Sequence, residues 1–205
     1  MSKKSMLLGL AAGLLQIAAA HGAELEFSAN PGVFDPGKTK SVTASWQQNQ
    51  GLADDDKGAV QGTPGKGLVL TKNAPTATNA ASGATIDGVS FITLTEIGWD
   101  VRRDGHCGAG APRFNITTAD GVTHFIGCNS PAPTTVVQVT PGAMGFDRRR
   151  YDPASAFPPV APGSAVVSIE IIFDEGTDTP PNPGSVVIDN IDVNGVIIKK
   201  EGKDE

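Results

Sequence analysis

Helical spacing, with apolar residues recurring three and four apart, is almost absent from this 205-residue chain, which argues against helical and alternating α/β architectures. After the N-terminus no run approaches the ~20 apolar residues that would span a bilayer. Neither a G-x-S-x-G nucleophile elbow nor an H-E-x-x-H zinc motif occurs, and GTPGKG has the wrong spacing and no hydroxyl for a phosphate loop. Positive charge is short: 16 Lys and Arg face 22 Asp and Glu, and nucleic acid is a poor partner for such a surface. Aromatics make up 5% of residues, a thin supply for stacking on a ligand. No internal repeat is visible.

What is present begins with MSKKSMLLGLAAGLLQIAAAHGAELEF: two lysines, an apolar stretch, then small residues, the pattern of a secretory signal peptide. Two cleavage points fit, after Ala20, where Ala18 completes an A-x-A pattern, or after Ala23, which leaves Glu24 as the new terminus and is adopted here. The signal is therefore 1–23, and the protein is expected to be secreted or periplasmic. No cysteine lies near the cleavage points to carry a lipid anchor. Removing Lys3 and Lys4 with the signal leaves 14 basic and 22 acidic residues, a net of about −8.

Glycine and proline, 25 and 15 residues, are spread throughout, and together with the missing helical period they read as all-β. Strands are expected at 24–28, 41–46, 67–71, 89–102, 113–118, 122–127, 134–140, 164–174 and 185–199, enough for a single β-sandwich over 24–199. Lys72 to Ala84 and Met144 to Pro162 read as two long surface loops, the second with one helical turn at Pro153 to Phe157. Residues 200–205 read as a charged disordered tail. The run Asp147-Arg148-Arg149-Arg150-Tyr151-Asp152 reads as a solvated loop with internal ion pairs. Asp54-Asp55-Asp56 lacks calcium-loop spacing and reads as solvated too.

Both cysteines and two of the three histidines fall in HCGAGAPRFNITTADGVTHFIGC, residues 106–128. Asp120-Gly121 signals a hairpin; as a two-residue turn it sets Ile116 against Phe125 and Phe114 against Gly127, with Phe114, Ile116 and Phe125 on the core face and Asn115, Thr117 and His124 outside. His124 and Cys128 then lie roughly 13 Å apart along a strand, too far for zinc, whose donors sit about 2.0–2.3 Å from the ion. In an exported chain the two cysteines are expected to form a Cys107–Cys128 disulfide, with GAGAP folding back to allow it and the histidines facing solvent. Asn115-Ile116-Thr117 is a formal glycosylation sequon, relevant only in a eukaryotic host.

In the final strand Val187, Ile191 and Val193 alternate toward one face, and Asp189 shares their parity. An inward carboxylate requires a cation, an arginine or several backbone N–H groups. VVIDNIDVNG resembles the last strand of the carbohydrate-binding-module type of jelly roll found in secreted bacterial proteins. By that resemblance the sandwich is of jelly-roll type and Asp189 is a structural calcium ligand, with Glu24 or Glu26 as companions. Asp174, Glu175 and Asp178 form an alternative oxygen-rich cluster. The middle segment, GWDVRRDGHCGAGAPRFNI followed by FIGC, also resembles a pattern in secreted bacterial proteins of unassigned function, and implies no activity.

A glycan or cell-surface polymer is the expected partner. Trp46, ending a strand beside QQNQGLADDD, and Tyr151 are the expected ligand-stacking residues, while Trp99 shares the core parity of Ile97 and Val101. Glu96, Asp100 and Glu170 take the outward parity of their strands, so an extracellular glycoside hydrolase with two of these carboxylates across a cleft is one alternative; a solvated sheet face is the plainer account of them. A structural or adhesive protein without a small ligand is the other.

Overall fold

The computed structural model describes residues 26–53, 64–76, 79–142, 144–175 and 184–198. All strand pairs among these residues are antiparallel and fall into two sheets. The first runs β1 (Ser28–Phe34), β4 (Ala81–Asp87), β11 (Ala165–Phe173), β7 (Arg113–Thr118) and β8 (Thr123–Gly127) in spatial order, with β5 (Ile92–Thr93) also beside β11. The second runs β2 (Val42–Gln47), β3 (Gly67–Lys72), β12 (Ser185–Val193), β6 (Ile97–Arg102), β10 (Phe146–Tyr151) and β9 (Thr135–Gln138), with β13 (Val196–Ile198) beside β12. They form a β-sandwich of jelly-roll type. The expected tail, the signal, Glu24, Asp54 to Asp56 and Asp178 lie outside the described residues.

The core lies between the sheets. Trp99 of the second sheet stacks on Phe114 of the first at 4.1 Å between ring centroids and meets Tyr151 edge-on at 6.1 Å. Ile86, Ile116, Ile126, Ile169, Ile171 and Phe173 from the first sheet, and Leu68, Leu70, Ile97, Val186 and Ile188 from the second, complete it.

Two strands occupy segments that read as loops. β4 is ASGATID, whose small residues look like a linker but sit between two partners. A Cβ on Gly83 would lie 2.1 Å from the Ile171 carbonyl oxygen, so β4 and β11 reach their spacing only because that residue is glycine. β10 contains the three arginines. They are spread along a strand rather than a solvated loop, and the single turn expected after it is present as a 3₁₀ turn at Pro153–Ser155.

Other boundaries moved for local reasons. β1 begins at Ser28 and carries Pro31, tolerated because an edge strand has one hydrogen-bonding partner only. The expected strand 89–102 divides between the sheets as β5 and β6, and Asn194 Oδ1 holds the crossover by accepting the backbone N–H groups of Thr95 and Glu96 at 2.7 and 3.3 Å. The expected strand 185–199 folds into β12 and β13 about Asn194-Gly195, both at positive φ (55° and 83°), a type I′ hairpin turn.

The 113–127 hairpin forms one residue out of the expected register. Its loop has three residues, Ala119, Asp120 and Gly121, the last at φ 83°, with Thr118 N–H donating to the Val122 carbonyl. Ile116 therefore faces His124, and Asn115 faces Phe125. A one-residue slip exchanges the faces of a strand, so Ile126 and His124 turn inward and Phe125 turns out.

Candidate functional site

Cys107 and Cys128 form a disulfide. GAGAP folds back as required: Gly108 N–H donates to Ala111 O, and Cys128 N–H to Pro112 O. The histidines are buried instead of solvent-facing. His106 Nε2 lies 2.9 Å from Glu175 Oε2, and its ring stands edge-on to Phe173. His124 Nδ1 donates to Pro158 O at 2.7 Å, while Nε2 meets the Thr118 hydroxyl at 3.0 Å.

The two expected stacking residues are core residues. Trp46 is 8% exposed and its indole N–H donates to Ala29 O across the sandwich. Tyr151 is 0% exposed and its hydroxyl donates to Cys128 O; burial pushes its pKa up to about 12. Neither ring is available to stack on a ligand. Both shifted inward because they sit at core-parity positions of strands, Tyr151 on a strand that read as loop. Trp99 is core, as its parity implied.

Asp189 is 1% exposed, but on the outer side of the second sheet. A bulge at Asn190 (φ 44°) interrupts β12: Val186 and Ile188 face the core before it, Ile191 and Val193 after it, and Val187 and Asp189 face away. The 50–52 loop covers Asp189, with Leu52 N–H donating to Oδ2 and Asn190 N–H to Oδ1, each at 2.7 Å. Calcium takes six to eight oxygen ligands, whereas both oxygens here accept N–H donors, and Glu26 is an exposed residue ahead of β1 in the other sheet. Among the described residues no three His, Cys, Asp or Glu side chains gather to hold a metal. Two backbone N–H groups thus supply part of the compensation that an enclosed carboxylate requires. Asp174 and Glu175 are likewise committed, to Arg113 at 2.7 Å and to His106.

The outer side of the second sheet carries a dense ionic layer. Asp100 receives both Arg148 Nε and Nη2, at 3.0 and 3.1 Å, and the Asn190 amide at 2.9 Å. This carboxylate holds the Arg148 guanidinium above its ordinary pKa. Arg150 pairs with Asp192 at 2.8 Å and stands 3.7 Å from Asp100. Arg148 and Arg150 thus pair across strands rather than within their own run, while Arg149 donates to Cys128 O. Asp100 faces out from the second sheet and Glu170 from the first, so they point to opposite sides of the sandwich, and Glu96 lies on the crossover between them. Asp100 and Glu170 therefore do not flank one cleft.

The outer side of the first sheet is open. Asn30, Thr85, Glu170, Asn115 and Phe125 form one row across β1, β4, β11, β7 and β8. Beside this row a depression of about 200 Å³ is lined by Gly32, Phe34, Gly83, Thr85, Glu170 and Ile172. Phe34 is 62% exposed, and no side chain from Gly32 or Gly83, which face each other, fills the floor. At the far edge Phe125 and Phe157 exchange backbone hydrogen bonds of 2.9 and 3.0 Å, and both side chains are exposed. Sequence reasoning missed these phenylalanines because it ranked Trp and Tyr first. The facing Gly32 and Gly83 become visible only once β4 is recognised as a strand.

No family model matches the chain, and no curated protein does. Two solved structures are similar to it. One is the family 11 carbohydrate-binding module of the cellulosomal cellulase Lic26A-Cel5E of Clostridium thermocellum, with TM-score 0.43, 13% identity, and 96% of this chain and 100% of that chain covered. The other is the family 11 carbohydrate-binding module from Clostridium thermocellum in complex with a β-1,3-1,4-mixed-linked tetrasaccharide, with TM-score 0.43, 14% identity, and 88% and 100% covered. No helix among the described residues is long and apolar enough to cross a membrane.

Proposed function

We propose that the protein is an exported, non-catalytic module that binds a glycan on the outer side of its first sheet. The observation that supports this reading is the depression between Phe34 and Glu170. It joins an exposed aromatic ring, which can lie against the C–H surface of a sugar, to a row of hydroxyl, amide and carboxylate groups that can take sugar hydroxyls. The ionic layer on the opposite sheet is internally paired and offers less to a neutral ligand.

Gly32→Val tests the reading without damaging the fold. Nothing lies within 4 Å of a Cβ at Gly32, so a side chain can enter the depression from there without a clash at its first atom. Valine is also the better strand residue, by about 0.5–1 kcal/mol. The variant is expected to melt no lower than the parent and to lose binding on a glycan array. Array binding equal to the parent's rules out the depression, and an array silent for the parent rules out the glycan.

A structural or adhesive role is favoured by a separate observation. The edge strand β9 and its continuation expose Val136, Val137 and Val139, with no charge between Thr134 and Thr140 to discourage pairing with another strand. Light scattering tests it: mass rising with concentration, and reverting on Val137→Lys, supports that role; a concentration-independent monomer refutes it.

A further inference from the structure

We propose that the depression beside Phe34 prefers a sugar bearing a protonated amine, with Glu170 as the residue that selects it. This rests on the glycan reading and narrows its ligand class. Glu170 carries the only charge among the residues that line the depression. It is exposed, and among the described residues nothing neutralises it. Its cross-strand neighbours on that face are Asn115 and Thr85, and its neighbours along β11 are Ser168 and Ile172. The nearest arginine in the next row, Arg113, is committed to Asp174 Oδ1 at 2.7 Å, to Gly110 O at 3.0 Å and to Asn115 Oδ1 at 3.0 Å. Lys72 is buried and donates to Asp174 O.

The site therefore combines an uncompensated carboxylate with an exposed aromatic ring. An ammonium group is attracted by both, through a charge-assisted hydrogen bond and through the ring's quadrupole. A hydroxyl or an acetamide at the same position gains only the neutral hydrogen bond, and a sugar carboxylate is repelled. The chain's excess of acids adds to this bias at long range, in a way that salt weakens. An exposed ionic contact of this kind adds about two- to fivefold in affinity.

Three oligosaccharides of equal length and identical β-1,4 linkage isolate the group at C2: oligomers of glucosamine, of N-acetylglucosamine and of glucose. They are titrated calorimetrically into the mature protein at low salt and mildly acidic pH, where the amine carries its proton. The glucosamine oligomer is expected to bind about two- to fivefold more tightly than the other two, and the ratio is expected to shrink toward one in Glu170→Gln, whose isosteric, exposed substitution leaves the melting curve in place. Equal affinity for all three, or a preference that survives Glu170→Gln, overturns the amine preference while the glycan reading stands. Binding of none of the three, together with a silent array, overturns both.

Discussion

Loss of the Cys107–Cys128 bridge is a sharp test of how this sandwich is stabilised. The bridge closes a loop of 21 positions. In the chain-entropy account, a cross-link of that span removes about 11 cal/mol/K from the unfolded ensemble, or about 3 kcal/mol at 25 °C. For a domain of this size, each kcal/mol moves the midpoint by about 2–4 °C, so the reduced protein should melt about 6–12 °C below the oxidised one. The native loop should survive, because the Cys128 carbonyl independently accepts the Tyr151 hydroxyl at 2.8 Å and Arg149 Nη1 at 2.9 Å, and its N–H donates to Pro112 O. The assay is a pair of thermal melts, one of oxidised protein and one of protein unfolded and refolded with reductant, which keeps both sulfur atoms in place and leaves no cavity. Near-ultraviolet circular dichroism at low temperature reports whether the Trp99, Phe114 and Tyr151 packing persists. A midpoint change under about 2 °C would refute the entropic account, since the restricted unfolded state would then be contributing nothing. A collapse of the aromatic signal on reduction would refute it from the other side, by showing that the bridge builds the native loop.

Two further outcomes follow from buried polar groups. Tyr151 is the single tyrosine in the chain, and a folded pKa of about 12 against 10.0 in the unfolded chain means that its contribution is complete below pH 10 and is lost as pH rises toward 12; stability should fall by up to about 2 kcal/mol across that window, and tyrosinate absorbance near pH 10 in the folded protein would contradict the burial argument. Arg150→Met takes the arginine from Asp192, whose side chain is 5% exposed, while Asp100 keeps Arg148 and Asn190, and should cost about 3–5 kcal/mol in urea unfolding. Arg150→Met/Asp192→Leu should recover part of that cost, whereas a single-variant loss under about 1 kcal/mol would show that the pair is solvated.

Much of the sandwich was legible in sequence because burial imposes a period. β2, β3, β7, β8, β11 and β12 lie within two residues of their expected starts, as alternating or continuous apolar runs bounded by turn residues. The staple was legible from two cysteines in a chain whose first residues read as an export signal. β4 and β10 were not, for opposite reasons. In β4 the side chains are small because β11 approaches closely, so the core face reads as linker. In β10 the face that would read as polar exterior is a strand's ionic layer, whose partners Asp100 and Asp192 lie 48 and 42 positions away along the chain.

The misplacement of Asp189 shows why parity alone could not locate the site. Within VVIDNIDVNG, alternation counted back from Ile191 and Val193 assigns Asp189 to the core, and counted forward from Val186 and Ile188 assigns it to the outside. Both counts are locally correct, and they conflict because Asn190 adopts a left-handed conformation that inserts an extra residue into the ladder. Asparagine is among the few residues that enter that region readily, so the dipeptide Asp-Asn inside an apolar run was a signal for the break. The same bulge turns the Asn190 amide toward Asp100, completing the ionic layer that closes the outer side of the second sheet. With that side occupied by the protein's own charges, the open depression of the first sheet, framed by Phe34 and Glu170, is where the proposed ligand would meet unspent hydrogen-bonding groups.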